Sequence, residues 1–180
     1  MGDVQSLSGY RTTPLTPTLT DELTSKAYVD ARTPQVQVGV LQADKVMTSN
    51  TTLSNATGLS FTVVANGFYG VELFFRHNAA TTTPDFKLFW SAPAGVSGWW
   101  SALGILPAGT GPTAGIPTSN LWSDTVAQGS ALSAMIQQPV GGLIVGATGG
   151  TVQLQVAQNT SSTDAMTLYA GTWLRATKLN

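Results

Sequence analysis

Thr151-Val-Gln-Leu-Gln-Val-Ala-Gln158 alternates apolar and polar side chains. Period-two alternation sends successive side chains to opposite faces of a strand. Val152, Leu154 and Val156 are therefore expected in a core, with Gln153 and Gln155 outside. The same period recurs outward from this stretch. Val36, Val38 and Val40 alternate with Gln35, Gln37 and Gly39 as a half-buried strand, and further strands are expected at about 44–49, 58–64, 68–77, 86–91, 99–103, 131–137, 142–147 and 167–178. Turn signals separate them: Asn66-Gly67, Asn78 to Pro84, Pro93 to Gly98, Pro107 to Pro117, Pro139-Val-Gly-Gly142 and Gly149-Gly150. So many short strands without helices between them predict an all-β fold, an antiparallel sandwich or jelly roll.

Composition narrows the function classes. Of 180 residues only 9% are charged, against about 25% in ordinary soluble domains, and polarity comes instead from 41 Ser and Thr and 19 Gly. The 42% hydrophobic content is ample for a core. A net charge of -1, with 8 scattered basic residues, offers no footprint for a phosphate backbone or an anionic membrane, so neither nucleic-acid binding nor membrane insertion is expected. Without cysteine there is no disulfide, thiol nucleophile or zinc-thiolate site. The N-terminus has neither a basic start nor an apolar block, so no secretion signal or anchor is expected.

Charge density changes near residue 45: nine charges lie in 1–45 and eight in 46–180. Residues 1–45 are expected to be an extended arm and 46–180 a head domain. Pro14 and Pro17 favour extended backbone. A short helix is expected at about 21–32, capped by Thr20, with Asp21 and Glu22 in its first turn and Pro34 blocking continuation. Its apolar stripe, Leu23, Ala27 and Ala31, is too narrow for an isolated helix, so the arm is expected to order against a partner.

In Gly67 to His77 one face carries Tyr69, Val71, Leu73 and Phe75, and the other carries Phe68, Gly70, Glu72, Phe74 and Arg76. Aromatics on both faces point to a subunit interface, with Phe68, Glu72, Phe74 and Arg76 on the contacting side. Glu72 and Arg76 are some 13 Å apart along a strand, too far to pair, so each requires a cross-strand or cross-subunit partner. Trp99 and Trp100 are adjacent, so one can fill the core while the other meets a partner or a sugar ring; Trp122 is a third candidate contact. The Gly- and Pro-rich stretch 104–120 is expected to be a long surface loop.

Two resemblances bear on these readings. Leu23-Thr-Ser-Lys-Ala-Tyr-Val-Asp-Ala31 resembles the "(T/N)K-(A/G)YVDA" element of bacteriophage tail fibres and other trimeric virion appendages. Ala65 to Phe75, Gly146 to Gln155 and Met166 to Arg175 resemble, in pattern, the jelly roll of the complement-globular-head and tumour-necrosis-factor superfamily. The closing Ala170-Gly-Thr-Trp-Leu-Arg175 is also similar to the "AGSWLR" ending of uncharacterised virion proteins of actinobacterial phages. There is no long coiled coil or repeat array, in which the chain departs from full tail fibres. The resemblances imply a jelly-roll head, a homotrimer, and an attachment arm using Leu15, Leu19, Leu23, Lys26, Ala27, Tyr28, Val29, Asp30 and Ala31.

Residues for catalysis are sparse. From 46 to 180 the carboxylates are Glu72, Asp85, Asp124 and Asp164, and the only histidine is His77, expected at a strand end. No Gly-x-Ser-x-Gly elbow and no clustered metal ligands appear, so no enzyme, metal or cofactor is expected. The expected role is that of a phage structural protein on the virion surface, made in the host cytoplasm. Three placements stay open: a trimeric capsid decoration protein or head fibre on the major capsid protein; a minor tail or tail-tip protein contacting tail proteins and host-surface glycan; and a non-phage trimeric binding module.

Overall fold

The computed structural model describes residues 35–81, 83–102, 118–129 and 134–180. All belong to the second of the two units into which the chain divides, 34–180. The expected arm helix at 21–32 and the attachment residues Leu15, Leu19, Leu23, Lys26, Ala27, Tyr28, Val29, Asp30 and Ala31 lie outside the described residues.

The described chain is all-β. Its strands are β1 (Val36–Val40), β2 (Lys45–Met47), β3 (Ser54–Val63), β4 (Phe68–Ala79), β5 (Phe86–Ser91), β6 (Ser97–Ala102), β7 (Thr118–Leu121), β8 (Val126–Gln128), β9 (Met135–Gln137), β10 (Val140–Ile144), β11 (Gly150–Gln158), β12 (Met166–Leu168) and β13 (Trp173–Lys178). They form two antiparallel sheets. The larger has nine strands, in the order β1-β13-β4-β10-β6-β7, with β9 and β12 also on β4 and β2 on β12; the smaller runs β3-β11-β5-β8. Both β1 and the start of β2 fall within residues 1–45, the stretch read as arm.

The core lies between the sheets. Val152, Leu154 and Val156 of β11 are fully buried, as their alternation requires, and each such side chain contributes roughly 1.5–3 kcal/mol. Aromatic rings bridge the layers: Phe61 of β3 meets Tyr69 of β4 (6.3 Å), Phe75 of β4 meets Phe86 of β5 (5.2 Å), and Trp90 of β5 meets Trp100 of β6 (6.3 Å). Gln153 and Gln155 are half-buried. At the register shift between β11 and β3, Gln153 Nε2 donates to the Ala56 and Leu59 carbonyls, which satisfies acceptors that the irregular ladder leaves free.

Four expectations are corrected. The valines of β1 face outward: Val36 and Val38 are exposed, while Gly39 is buried. A Cβ on Gly39 would sit 2.5 Å from the Gly58 carbonyl oxygen, so only glycine lets β1 close on β3, and that contact sets the parity of the strand. Pro139-Val-Gly-Gly142 is no turn but the start of β10, paired with β4 and β6. Gly141 is small there because a Cβ would lie 2.7 Å from the Cβ of Trp100. The strand expected at 167–178 is broken into β12 and β13, with Gly171 between them at φ 82°. The expected loop 104–120 ends inside β7, and residues 103–117 are outside the described set.

Candidate functional site

Residues opposite one another in an antiparallel ladder share a face, so the register lays out the outer surface of the larger sheet row by row. One row reads Val38, Arg175, Glu72, Val140, Ser101; the next reads Val36, Thr177, Gly70, Gly142, Trp99, Leu121. Phe68 and Ile144 face each other in the row beyond. Val36, Val38, Phe68, Trp99, Leu121, Val140 and Ile144 are all exposed on this face. The exposed apolar side chains flank the Glu72–Arg175 pair and Thr177, and exposed apolar groups gathered on one face are a candidate interaction surface.

The four interface candidates on β4, Phe68, Glu72, Phe74 and Arg76, all lie on this outer face. Phe74 stacks on Trp173 of β13, with centroids 5.8 Å apart and planes 4° from parallel. Glu72 faces Arg175 in register, and the guanidinium donates to both carboxylate oxygens at 2.7 Å. Arg76 lies over the Tyr169 ring at 4.6 Å. Glu72 thus has a cross-strand partner and Arg76 one just past the end of β12, as their spacing demands. The ion pair neutralises itself, so covering the centre of the face isolates no charge there.

The three tryptophan candidates separate. Trp99 is 58% exposed, whereas Trp100 is 2% and Trp122 3% exposed. Trp100 and Trp122 pack around Trp90 in the core and donate their indole N–H groups to the carbonyls of Leu121 and Gly142, and of the three only Trp99 presents its ring. Alternation separates Trp99 from Trp100, but nothing local to Trp122 marks it as core.

Sequence reasoning missed Leu121, Val140 and Ile144, and assigned Val36 and Val38 to the wrong side. Val140 was hidden by the turn-like Pro139-Val-Gly-Gly142. The visible signal was Val140 and Ile144 spaced by four, both on one side of a strand.

His77 is a further correction. It is fully buried inside β4 and not at a strand end, with its ring 4.7 Å from those of Phe75 and Phe86. Burial pushes its pKa down to about 4, and the neighbouring Gln137 side chain opposes the shift. Gln137 is not aligned for an ordinary hydrogen bond, and both ring nitrogens lack a partner. Among the described residues no group of three or more His, Asp or Glu could hold a metal ion, and no helix is long and apolar enough to cross a membrane.

No family model and no curated protein matches the sequence. Among the solved structures that align, three do so at low identity. A chain from infectious bursal disease virus, Gx strain, is 12% identical with a TM-score of 0.41, over 80% of this chain and 33% of that one. The tripod (BppUct-A-L) from the baseplate of bacteriophage Tuc2009 is 13% identical with a TM-score of 0.35, over 100% and 79%. The Gt strain of infectious bursal disease virus gives 11% and 0.24, over 81% and 37%. This chain spans about a third of the length of the two bursal disease virus chains. At these identities and TM-scores the likenesses carry no argument about kinship or role.

Proposed function

We propose that this protein is a non-enzymatic structural protein of a tailed-phage virion, a homotrimer whose N-terminal arm anchors a jelly-roll head to the capsid shell as a decoration protein or head fibre. The strand orders β1-β13-β4-β10 and β3-β11-β5-β8 support the jelly-roll reading, with β6 and β7 paired in turn beyond β10. The tail-fibre-like Leu23 to Ala31 element supports the virion role.

The observation that carries the trimer is the apolar outer face. An edge strand that turns Val36 and Val38 outward, on the same face as Phe68 of β4 and Val140 and Ile144 of β10, fits a surface covered by another copy of the chain. Light scattering should return three times the chain mass, and Phe68→Asp combined with Ile144→Asp should return one. A wild-type monomer at micromolar concentration refutes the trimer. Deleting 1–33 should leave the head folded and trimeric but absent from particles. Full incorporation without 1–33 would put the attachment surface on the head.

A second reading, a tail-tip protein recognising host-surface glycan, is favoured by the exposed ring of Trp99. Here Trp99→Ala should reduce host adsorption by particles that still carry the protein. Unchanged adsorption leaves the decoration reading.

A further inference from the structure

A cleft bounded by described residues is lined by none of the residues of the apolar strip. It measures about 470 Å³ and sits between the segment 41–46, which leads from β1 into β2, and the first half of β3. That volume falls inside the roughly 300–1,000 Å³ usual for small-molecule sites. Leu41 lies buried at its base, and Gln42, Asp44, Lys45, Asn55 and Thr57 supply polar groups.

Two of these groups are fixed in place with hydrogen-bonding capacity to spare. The Ala170 N–H donates to Asp44 Oδ1 at 2.8 Å, leaving the second carboxylate oxygen as an acceptor. Gln155 Nε2 donates to Asn55 Oδ1 at 2.9 Å, leaving the Asn55 amide N–H groups as donors. Lys45 has no hydrogen-bond or ion-pair partner among the described residues, and burial holds its pKa below the usual lysine value. An ammonium that has lost part of its water and has no partner gains from an acceptor oxygen.

Charge decides the ligand class. The lining carries one negative and one positive side chain, Asp44 and Lys45. An anionic ligand drawn to Lys45 would meet the Asp44 carboxylate, and a cation drawn to Asp44 would meet Lys45. A neutral molecule that offers donor and acceptor from adjacent atoms satisfies both, and vicinal hydroxyl groups do this. We propose that this cleft binds a neutral saccharide of one or two rings, with hydroxyl groups donating to Asp44, and Lys45 and Asn55 donating to sugar oxygens. The proposal does not rest on the assembly reading, because no residue of the apolar strip lines the cleft.

The test is an NMR titration of the full chain with glucose, galactose, N-acetylglucosamine and rhamnose in turn, with glucuronate and inorganic phosphate as anionic comparisons. At least one neutral sugar should shift amide resonances confined to 41–46 and 55–58. Asp44→Ala and Lys45→Met should each weaken binding by about tenfold, as for loss of a hydrogen bond to a charged group. Trp99→Ala should bind like the wild type. Because Asp44 also holds the Ala170 amide, Lys45→Met keeps the test valid if Asp44→Ala unfolds. Shifts around Trp99 alone, shifts with glucuronate or phosphate alone, or no shift with any neutral sugar would each overturn the proposal.

Discussion

Gln37 and Thr62 exchange two hydrogen bonds across the open edge of the sandwich. Gln37 Nε2 donates to the Thr62 carbonyl at 2.7 Å, and the Thr62 N–H donates to Gln37 Oε1 at 2.9 Å. The side-chain amide thus occupies the place of a neighbouring strand on β3, whose other edge is paired with β11. Free edge groups are templates for pairing with another chain, so this contact joins the two sheets and blocks one such template. Gln37→Ala should lower stability by roughly 1–2 kcal/mol and increase aggregation on heating. Chemical denaturation and turbidity measure the two effects, and unchanged values in both would show that the edge needs no cap.

The same edge depends on Gly58. Its φ is 92°, and a Cβ there would lie 2.3 Å from the Val40 carbonyl oxygen. Gly58→Ala combines an unfavourable backbone region with a backbone clash, and should destabilise by roughly 2–4 kcal/mol. Gly171, at φ 82° with open space around it, faces only the backbone penalty, so Gly171→Ala should cost about 1 kcal/mol. Denaturation midpoints of the pair separate clash from backbone strain.

His77 makes stability depend on pH. The unfolded imidazole takes up a proton below about 6.5, whereas the folded one stays neutral down to about 4. The unfolded state therefore binds more protons between these values, and stability falls as pH drops through the window. The loss at full protonation of the unfolded chain is roughly 3 kcal/mol. Urea denaturation at a series of pH values should show this slope in the wild type and a shallower one in His77→Leu. Parallel slopes would show that other groups set the acid sensitivity.

Trp99 and Trp100 should respond oppositely to truncation. Trp100→Ala opens the core beside Trp90 and should destabilise the fold by roughly 3–5 kcal/mol. Trp99→Ala should change the stability of the isolated head by less than about 1 kcal/mol, because its ring is exposed. Calorimetry of the two variants measures both values.

The strands with uninterrupted alternation were legible in the sequence. In 151–158 and 68–77 the inward residues follow directly from period two, because one continuous face must leave water. The aromatics on both sides of β4 made its outer aromatic face legible, and the spacing of Glu72 and Arg76 required partners from elsewhere. What the sequence by itself determined was therefore the fold class, the two faces of the central strands and a chain poor in catalytic groups.

Tertiary structure decided what depends on backbone approach. Val36 and Val38 turn outward because Gly39 must meet Gly58, residues 19 positions apart, and no local pattern contains that contact. The glycines of β10 resemble a turn until Trp100 is seen packed over Gly141. His77 enters the core because β9 and β12 extend the pairing of β4 through Ala79. The partners Arg175 and Tyr169 arrive on Glu72 and Arg76 from about a hundred residues away in the chain, and the cleft beside Lys45 exists only where the link from β1 to β2 passes β3. Period two is a local property of the chain; strand parity at an edge, glycine contacts and cross-strand partners are set by which backbones meet in space.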